Sequence, residues 1–195
     1  MKILKSLFNN TGHYRIILIL ISQYVFVSLF SQTPVLSKIF ADKTKSTVTY
    51  SLRHPLHKWD GMSKDISSLI VYNRGNKTID NVAVAIKIAS FDSENANRDS
   101  HTIEVLDAIK IPNVTFTSTS IISEGENLKV SGNLTFHGVT KPISFSAKES
   151  INGKELIVTG NFEIKLTDFK ITPPSLMGIA TEDLIKVKLS VSYTL

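Results

Sequence analysis

The sequence predicts an all-β fold, specifically an eight-stranded antiparallel barrel with one short helix near a barrel end. Three observations carry that prediction. Eight segments beyond Asp42 place apolar residues two apart, clusters rich in Gly, Asn and Pro separate them, and a single stretch switches to helical spacing. Eight is the strand number at which a closed antiparallel sheet has room inside for side chains or for one small ligand. Closure also removes exposed strand edges, which a chain rich in β-branched residues needs.

The clearest pair runs from Asn127 to Lys148. In its first limb Leu128, Val130, Leu134 and Phe136 share a face with Gly132, while Lys129, Ser131, Asn133, Thr135 and His137 take the other. The segment Gly138-Val-Thr-Lys-Pro142 breaks the run, and Ile143, Phe145 and Ala147 then alternate with Ser144, Ser146 and Lys148. Two strands cannot shield an apolar face from water, so the rest of the chain must supply the facing wall.

The other strands follow in order. Val48, Tyr50 and Leu52 alternate with Thr47, Thr49, Ser51 and Arg53, and Pro55 and Gly61 then mark a loop. Ile66 to Tyr72 is an apolar strand, and Asn73-Arg74-Gly75-Asn76 turns the chain into a third, Thr78 to Ser90, with Val82, Val84, Ile86 and Ile88 in phase. Val114 to Ser120 opens after Pro112. Beyond the Asn127 pair and Asn152-Gly153, a seventh strand carries Leu156, Val158, Phe162, Ile164 and Leu166. An eighth, Asp183 to Leu195, carries Val187, Leu189, Val191 and Tyr193. Between strands three and four, Asp99 to Lys110 has Ile103, Leu106 and Ile109 or Lys110 at helical spacing behind Asp99 or Ser100 as N-cap. Its expected place is over an open barrel end. Thr167 to Ala180, with Phe169, Pro173, Pro174, Leu176, Met177 and Gly178, is expected as a partly apolar loop at a rim.

Ahead of the domain, Ile16 to Ser37 contains no charged residue and follows Lys2, Lys5 and Arg15. This is the pattern of an export signal, and the positive flank is expected to stay inside while the remainder faces outward. Residues 1–31 are therefore read as a signal or signal anchor, with a cut between 31 and 41, and 42–195 as the barrel domain. Breaks after Ser31 or Ala41 each place a small residue last, and the uncharged run is also long enough to span a hydrocarbon core as an uncleaved tether. Either outcome puts the domain outside the cytoplasm, in the periplasm or otherwise exported.

Composition narrows the function. The chain has no cysteine, which excludes disulfides, thiolate metal sites and a lipidated N-terminal cysteine. The net charge of +5 suggests nucleic acid, but three of the 22 basic residues lie in the acid-free leader, leaving 19 against 17 acidic ones. Nucleic acid is therefore not an expected partner. Phosphate-cradling glycine loops, recognisably spaced catalytic carboxylates and zinc motifs are missing, and no cofactor is expected. The sequons at Asn76, Asn113 and Asn133 arise readily where Thr alternates along strands.

Two polar constellations remain. His54-Pro-Leu-His57 sets two imidazoles three residues apart, which suits a metal only with a third ligand, and loop histidines at a pocket mouth are the plainer reading. Arg98, Asp99 and His101 form an acid-base set on paper; the structural alternative has Asp99 capping the helix, Arg98 paired with a carboxylate and His101 packed in the first turn. Trp59, the one tryptophan, suits a core plug or a rim equally. The larger signal is apolar: Tyr50, Leu52, Ile86, Ile88, Phe91, Leu106, Phe116, Leu134, Phe136, Phe145, Phe162, Ile164, Phe169, Met177 and Leu189. These residues either fill a solid core or line a tunnel for an apolar chain, and the pattern by itself allows both.

The run Gly132-Asn-Leu-Thr-Phe-His-Gly-Val-Thr-Lys-Pro142 resembles the signature of the YceI family, and Arg98-Asp-Ser-His101 resembles that family's Arg-Asp-x-His element. His54, the run Pro112 to Ser118 and Thr167-Asp-Phe169 extend the likeness over nearly all of the chain after Lys45. The loop His54 to Gly61 is more particular and suggests a subgroup. The resemblance implies a lipocalin-like barrel that holds an apolar molecule such as an isoprenoid, quinone or fatty acyl chain, close to a membrane and without catalysis. It favours the hollow interior, with His54, Arg98, Asp99 and His101 as polar rim candidates. A homodimer, an enzyme built on the two polar constellations, and a solid barrel acting through its surface in the envelope stay open as alternatives.

Overall fold

The computed structural model describes residues 35–195. The predicted leader lies outside the described residues. All eight predicted strands form, as β2 (Thr47–His54), β4 (Ile66–Asn73), β5 (Thr78–Lys87), β6 (Asn113–Glu124), β7 (Asn127–Phe136), β8 (Val139–Asn152), β9 (Glu155–Lys165) and β12 (Leu184–Thr194). Antiparallel pairing joins them in the order β4-β5-β6-β7-β8-β9-β12-β2. The period-two residues of adjacent strands lie opposite one another, as in Leu128↔Ala147, Val130↔Phe145 and Val187↔Phe162, so one continuous face of the curled sheet is apolar.

Two strands extend this set to a ten-stranded sheet: β1 (Leu36–Phe40) along β4 and β3 (His57–Ser63) along β2. Each helps the curled sheet meet itself. Ala41, just past β1, bridges to Tyr193 of β12, and Met62 of β3 bridges to Asp92 beyond β5. A buried hydrogen bond of 2.7 Å between the Ser68 and Tyr193 hydroxyls ties β4 to β12 at this seam.

The eight-strand count is therefore corrected upward. The expected loop after His54 is instead a tight hairpin in which Pro55 and Leu56 turn between paired His54 and His57. Strand β3 was hidden because His57-Lys-Trp-Asp-Gly-Met-Ser63 lacks alternation, as suits an end strand of the sheet. Strand β1 was hidden in the apolar tail of the leader, so the sheet starts before Asp42; of its residues only Ile39 is buried. The expected rim loop contains a 3-10 turn at Thr167–Phe169 and a two-stranded ribbon, β10 (Ser175–Leu176) with β11 (Ile179–Ala180).

The helix, α1, spans Ala96–Val105, starting earlier and ending sooner than expected. Asn95 is its cap, its side chain accepting from the Arg98 N–H at 3.0 Å. Asp99 does not cap it but accepts the Ser93 N–H, and Ile109 lies beyond the helix, exposed. The chain leaves through Leu106 into Asp107, whose φ is +45°.

Candidate functional site

The apolar face of the curled sheet does not meet in a packed centre. It encloses a cavity of about 460 Å³ whose wall is contributed by all eight of the core strands except β4, by α1 and by the ribbon. Two clusters of buried side chains contribute to this wall. One includes Leu52, Phe116, Leu134 and Phe136, the other is Val48, Ile66 and Ile86, and Val84, Val187 and Leu189 pack against both. Inward-facing residues such as Val82, Phe162, Val187 and Leu189 keep partial exposure because they face this space.

Aromatic rings shape the interior. Phe116, Phe145 and Phe162 form a chain with centroid separations of 5.8 and 4.9 Å, the second pair stacked. Two glycines make room for the rings to lie against the sheet. A Cβ at Gly61 would enter the Tyr50 ring, and one at Gly132 would meet both the Phe116 ring and the Thr117 carbonyl. Tyr50 also meets Phe91 edge-on at 5.4 Å. Burial pushes its hydroxyl above the ordinary tyrosine value, partly offset by hydrogen bonding with the Trp59 and Thr102 side chains.

Polar groups concentrate at one end. His57 stacks on Trp59 at 5.1 Å, and the Arg98 guanidinium lies over the same indole at 5.0 Å. His54 sits behind them, 1% exposed, and is fully engaged. The Leu56 N–H donates to its Nδ1 at 3.2 Å, which assigns the proton to Nε2, and Nε2 donates to the Ile179 carbonyl at 3.0 Å. One ring thus fastens the β10–β11 ribbon to the β2–β3 turn. The Thr181 hydroxyl, also on the cavity wall, is buried with no hydrogen-bond partner among the described residues. The exposed members of the wall are His57, His101, Ser175 and Leu176, so the mouth opens at this end.

Of the apolar residues singled out in the sequence, all line the cavity except Phe169 and Met177. Phe169 is buried in the main core cluster, packed 5.5 Å from Phe136, and Met177 projects outward from the ribbon's tip. Among the rim candidates His54, Arg98 and His101 reach the wall, and Asp99 does not. The acid-base set does not assemble: Asp99 faces the Ser93 amide, and His101 faces Glu104 at 3.6 Å. Nor do His54 and His57 gain a third ligand, since among the described residues no three His, Asp or Glu side chains group for a metal. Trp59, for which sequence left core and rim open, stands on the wall at the mouth, and Pro174 and Leu176 of the expected rim loop join it; sequence reasoning missed Thr102 and Val105 on α1 and Thr181 just past the ribbon. Helical spacing flagged Leu106, and Val105 beside it gave no separate signal.

A family model for the YceI-like domain matches residues 41–193. Protein YceI of Salmonella newport is 36% identical over 144 residues, covering 69% of this chain and 75% of that protein. Among solved structures, Campylobacter jejuni YCEI aligns with a TM-score of 0.61 and 29% identity, over 69% of this chain and 84% of that one. Burkholderia cenocepacia BcnA reaches a TM-score of 0.71 at 21% identity, over 79% and 99%. A polyisoprenoid-binding domain from Saccharophagus degradans, implicated in plant cell wall breakdown, reaches 0.63 at 12% identity, over 82% and 98%; these last two share the fold.

Proposed function

The chain belongs to the YceI-like domain family, and on that premise we propose that it sequesters a long apolar molecule, such as a polyisoprenoid, a quinone or a fatty acyl chain, inside its barrel in the cell envelope, without catalysing a reaction. The observation that carries the reading is the cavity itself. Its volume of about 460 Å³ falls within the range of small-molecule sites, roughly 300–1,000 Å³, and its wall is apolar apart from the mouth. A solid barrel acting only through its surface does not account for such a space. The polyisoprenoid-binding domain of Saccharophagus degradans shares the architecture, which supports the ligand class.

Burying about 300–400 Å² of a ligand's apolar surface at about 25 cal/mol per Å² yields roughly 8–10 kcal/mol, which sets micromolar binding as the ceiling from which ordering costs subtract. Affinity then comes from area. Selection among apolar chains falls to the mouth, where Arg98, His57, His101 and the unpartnered Thr181 hydroxyl face whatever polar group the chain carries. Native mass spectrometry of protein purified without detergent tests the reading. The expected result is co-purified lipid, or stoichiometric uptake of an added quinone or polyprenol after delipidation. A folded, ligand-free species that takes up neither would sink it.

A further inference from the structure

We propose that the β2–β3 turn and the β10–β11 ribbon together form a bilayer-docking surface, through which an apolar ligand passes between lipid and cavity; the inference rests on the lipid-binding reading above. Leu56 at the turn is 66% exposed, and Leu176, Met177 and Ile179 on the ribbon are 49%, 87% and 44% exposed. The turn and the ribbon that carry these side chains are neighbours, because the His54 ring hydrogen-bonds the Leu56 amide and the Ile179 carbonyl at once.

Met177 is the telling residue. With Gly178 it forms the ribbon's two-residue tip, and both have positive φ, +55° and +78°. Gly, Asn or Asp suits that position, so a large apolar side chain there is disfavoured by backbone and by water alike. Folding alone gives no reason to place it there. Insertion into lipid does: at the head-group level of a bilayer the tip's backbone stays hydrated while the Met177 side chain leaves water.

The choice of lipid as occupant follows from continuity and size. Leu176 belongs both to the exposed patch and to the cavity wall, so the apolar surface runs unbroken from the interior to the outside at the mouth. A water-insoluble ligand needs that continuity. Four side chains fall far short of the ~800 Å² per partner of a stable protein interface, whereas shallow insertion of a few apolar residues holds a protein at a membrane. Lys58 on β3 and Lys170, just after the Thr167–Phe169 turn, form no ion pair among the described residues and suit anionic head groups, with Asp168 offsetting part of that charge.

The full chain is free of cysteine, so single cysteines report one site each. Met177→Cys and Ile151→Cys, the latter on the opposite end of the barrel, are labelled with an environment-sensitive nitrobenzoxadiazole and mixed with phosphatidylethanolamine/phosphatidylglycerol vesicles. The label at 177 is expected to shift to the blue and to be quenched by brominated lipid, while the label at 151 is not. A label at 177 that stays in water, or two labels that respond alike, overturns the proposal. Leu56→Ser/Met177→Ser changes no cavity wall residue and keeps the backbone amide at position 56 that donates to His54. It is expected to take a fluorescent polyprenol analogue from vesicles at least tenfold more slowly, yet to bind it equally from detergent micelles. An unchanged transfer rate overturns docking. Insertion at 177 with no ligand uptake from either source supports docking and overturns the cargo reading instead.

Discussion

Tyr193 shows how a single residue can both close the barrel and set its limits in alkali. It is almost fully buried on β12, and its hydroxyl bonds Ser68 of β4, which in turn donates to the Ala83 carbonyl. Burial pushes the phenol up to about 12, with the Ser68 bond pulling slightly the other way. The folded state therefore holds its proton more tightly than the unfolded chain, whose phenol titrates near 10. The stabilisation is fully present below pH 10 and is lost as the pH rises through 10 toward 12, on the order of 2–3 kcal/mol. Urea unfolding between pH 9 and 11.5 is expected to show this loss, and Tyr193→Phe to flatten it. Tyr50 and Tyr72, both raised chiefly by burial, keep part of the slope in the variant. An equally steep decline in Tyr193→Phe would remove Tyr193 from the account.

Among the elements, the β10–β11 ribbon depends most on one partner. Two residues per strand hold it together, and the His54 ring joins it to the β2–β3 turn. His54→Ala leaves the Leu56 amide and the Ile179 carbonyl without that partner, at about 0.5–1.5 kcal/mol for each part-buried bond. Hydrogen exchange is expected to quicken in residues 175–181 first and to leave β7 and β8 unchanged; uniform quickening across the sheet would mean that the ring supports the whole fold. The same ribbon shows where sequence reading stops. The eight long strands were legible because each buries one face, so period two is written into Val82-Val84-Ile86 or Leu156-Val158. Strand β3 and the ribbon bury little, and their pairing is fixed by register with neighbours far away in the chain, which leaves no local pattern. The wall was legible for the same reason as the strands, and its errors fall where that reason fails. Phe169 and Met177 lie in an irregular segment where no period says which way a side chain points.

At the scale of the whole molecule the decisive question is whether the barrel is hollow in solution, because alternation is identical for a filled and an empty interior. The partial exposure of inward residues on β5, β9 and β12 distinguishes the two, and Val187 offers a direct probe. It lies opposite Tyr50 on one side and Phe162 on the other, lines the cavity, and packs against both core clusters. In a filled core Val187→Phe would force neighbouring rings off their rotamers at about 1–3 kcal/mol. Into an open space the added ring instead gains contacts, so the unfolding midpoint is expected to hold or rise slightly. The same ring takes up room that a ligand chain would occupy, so uptake of a polyprenol should fall by at least tenfold. Ligand added to the parent protein at a hundredfold excess over its Kd stabilises it by about 2.7 kcal/mol, a shift of several degrees in Tm. That shift should shrink in Val187→Phe in step with the lost affinity. Retained stability with lost ligand shift is the signature of an interior built to be occupied, whereas a destabilised variant would place packed side chains where the cavity now lies.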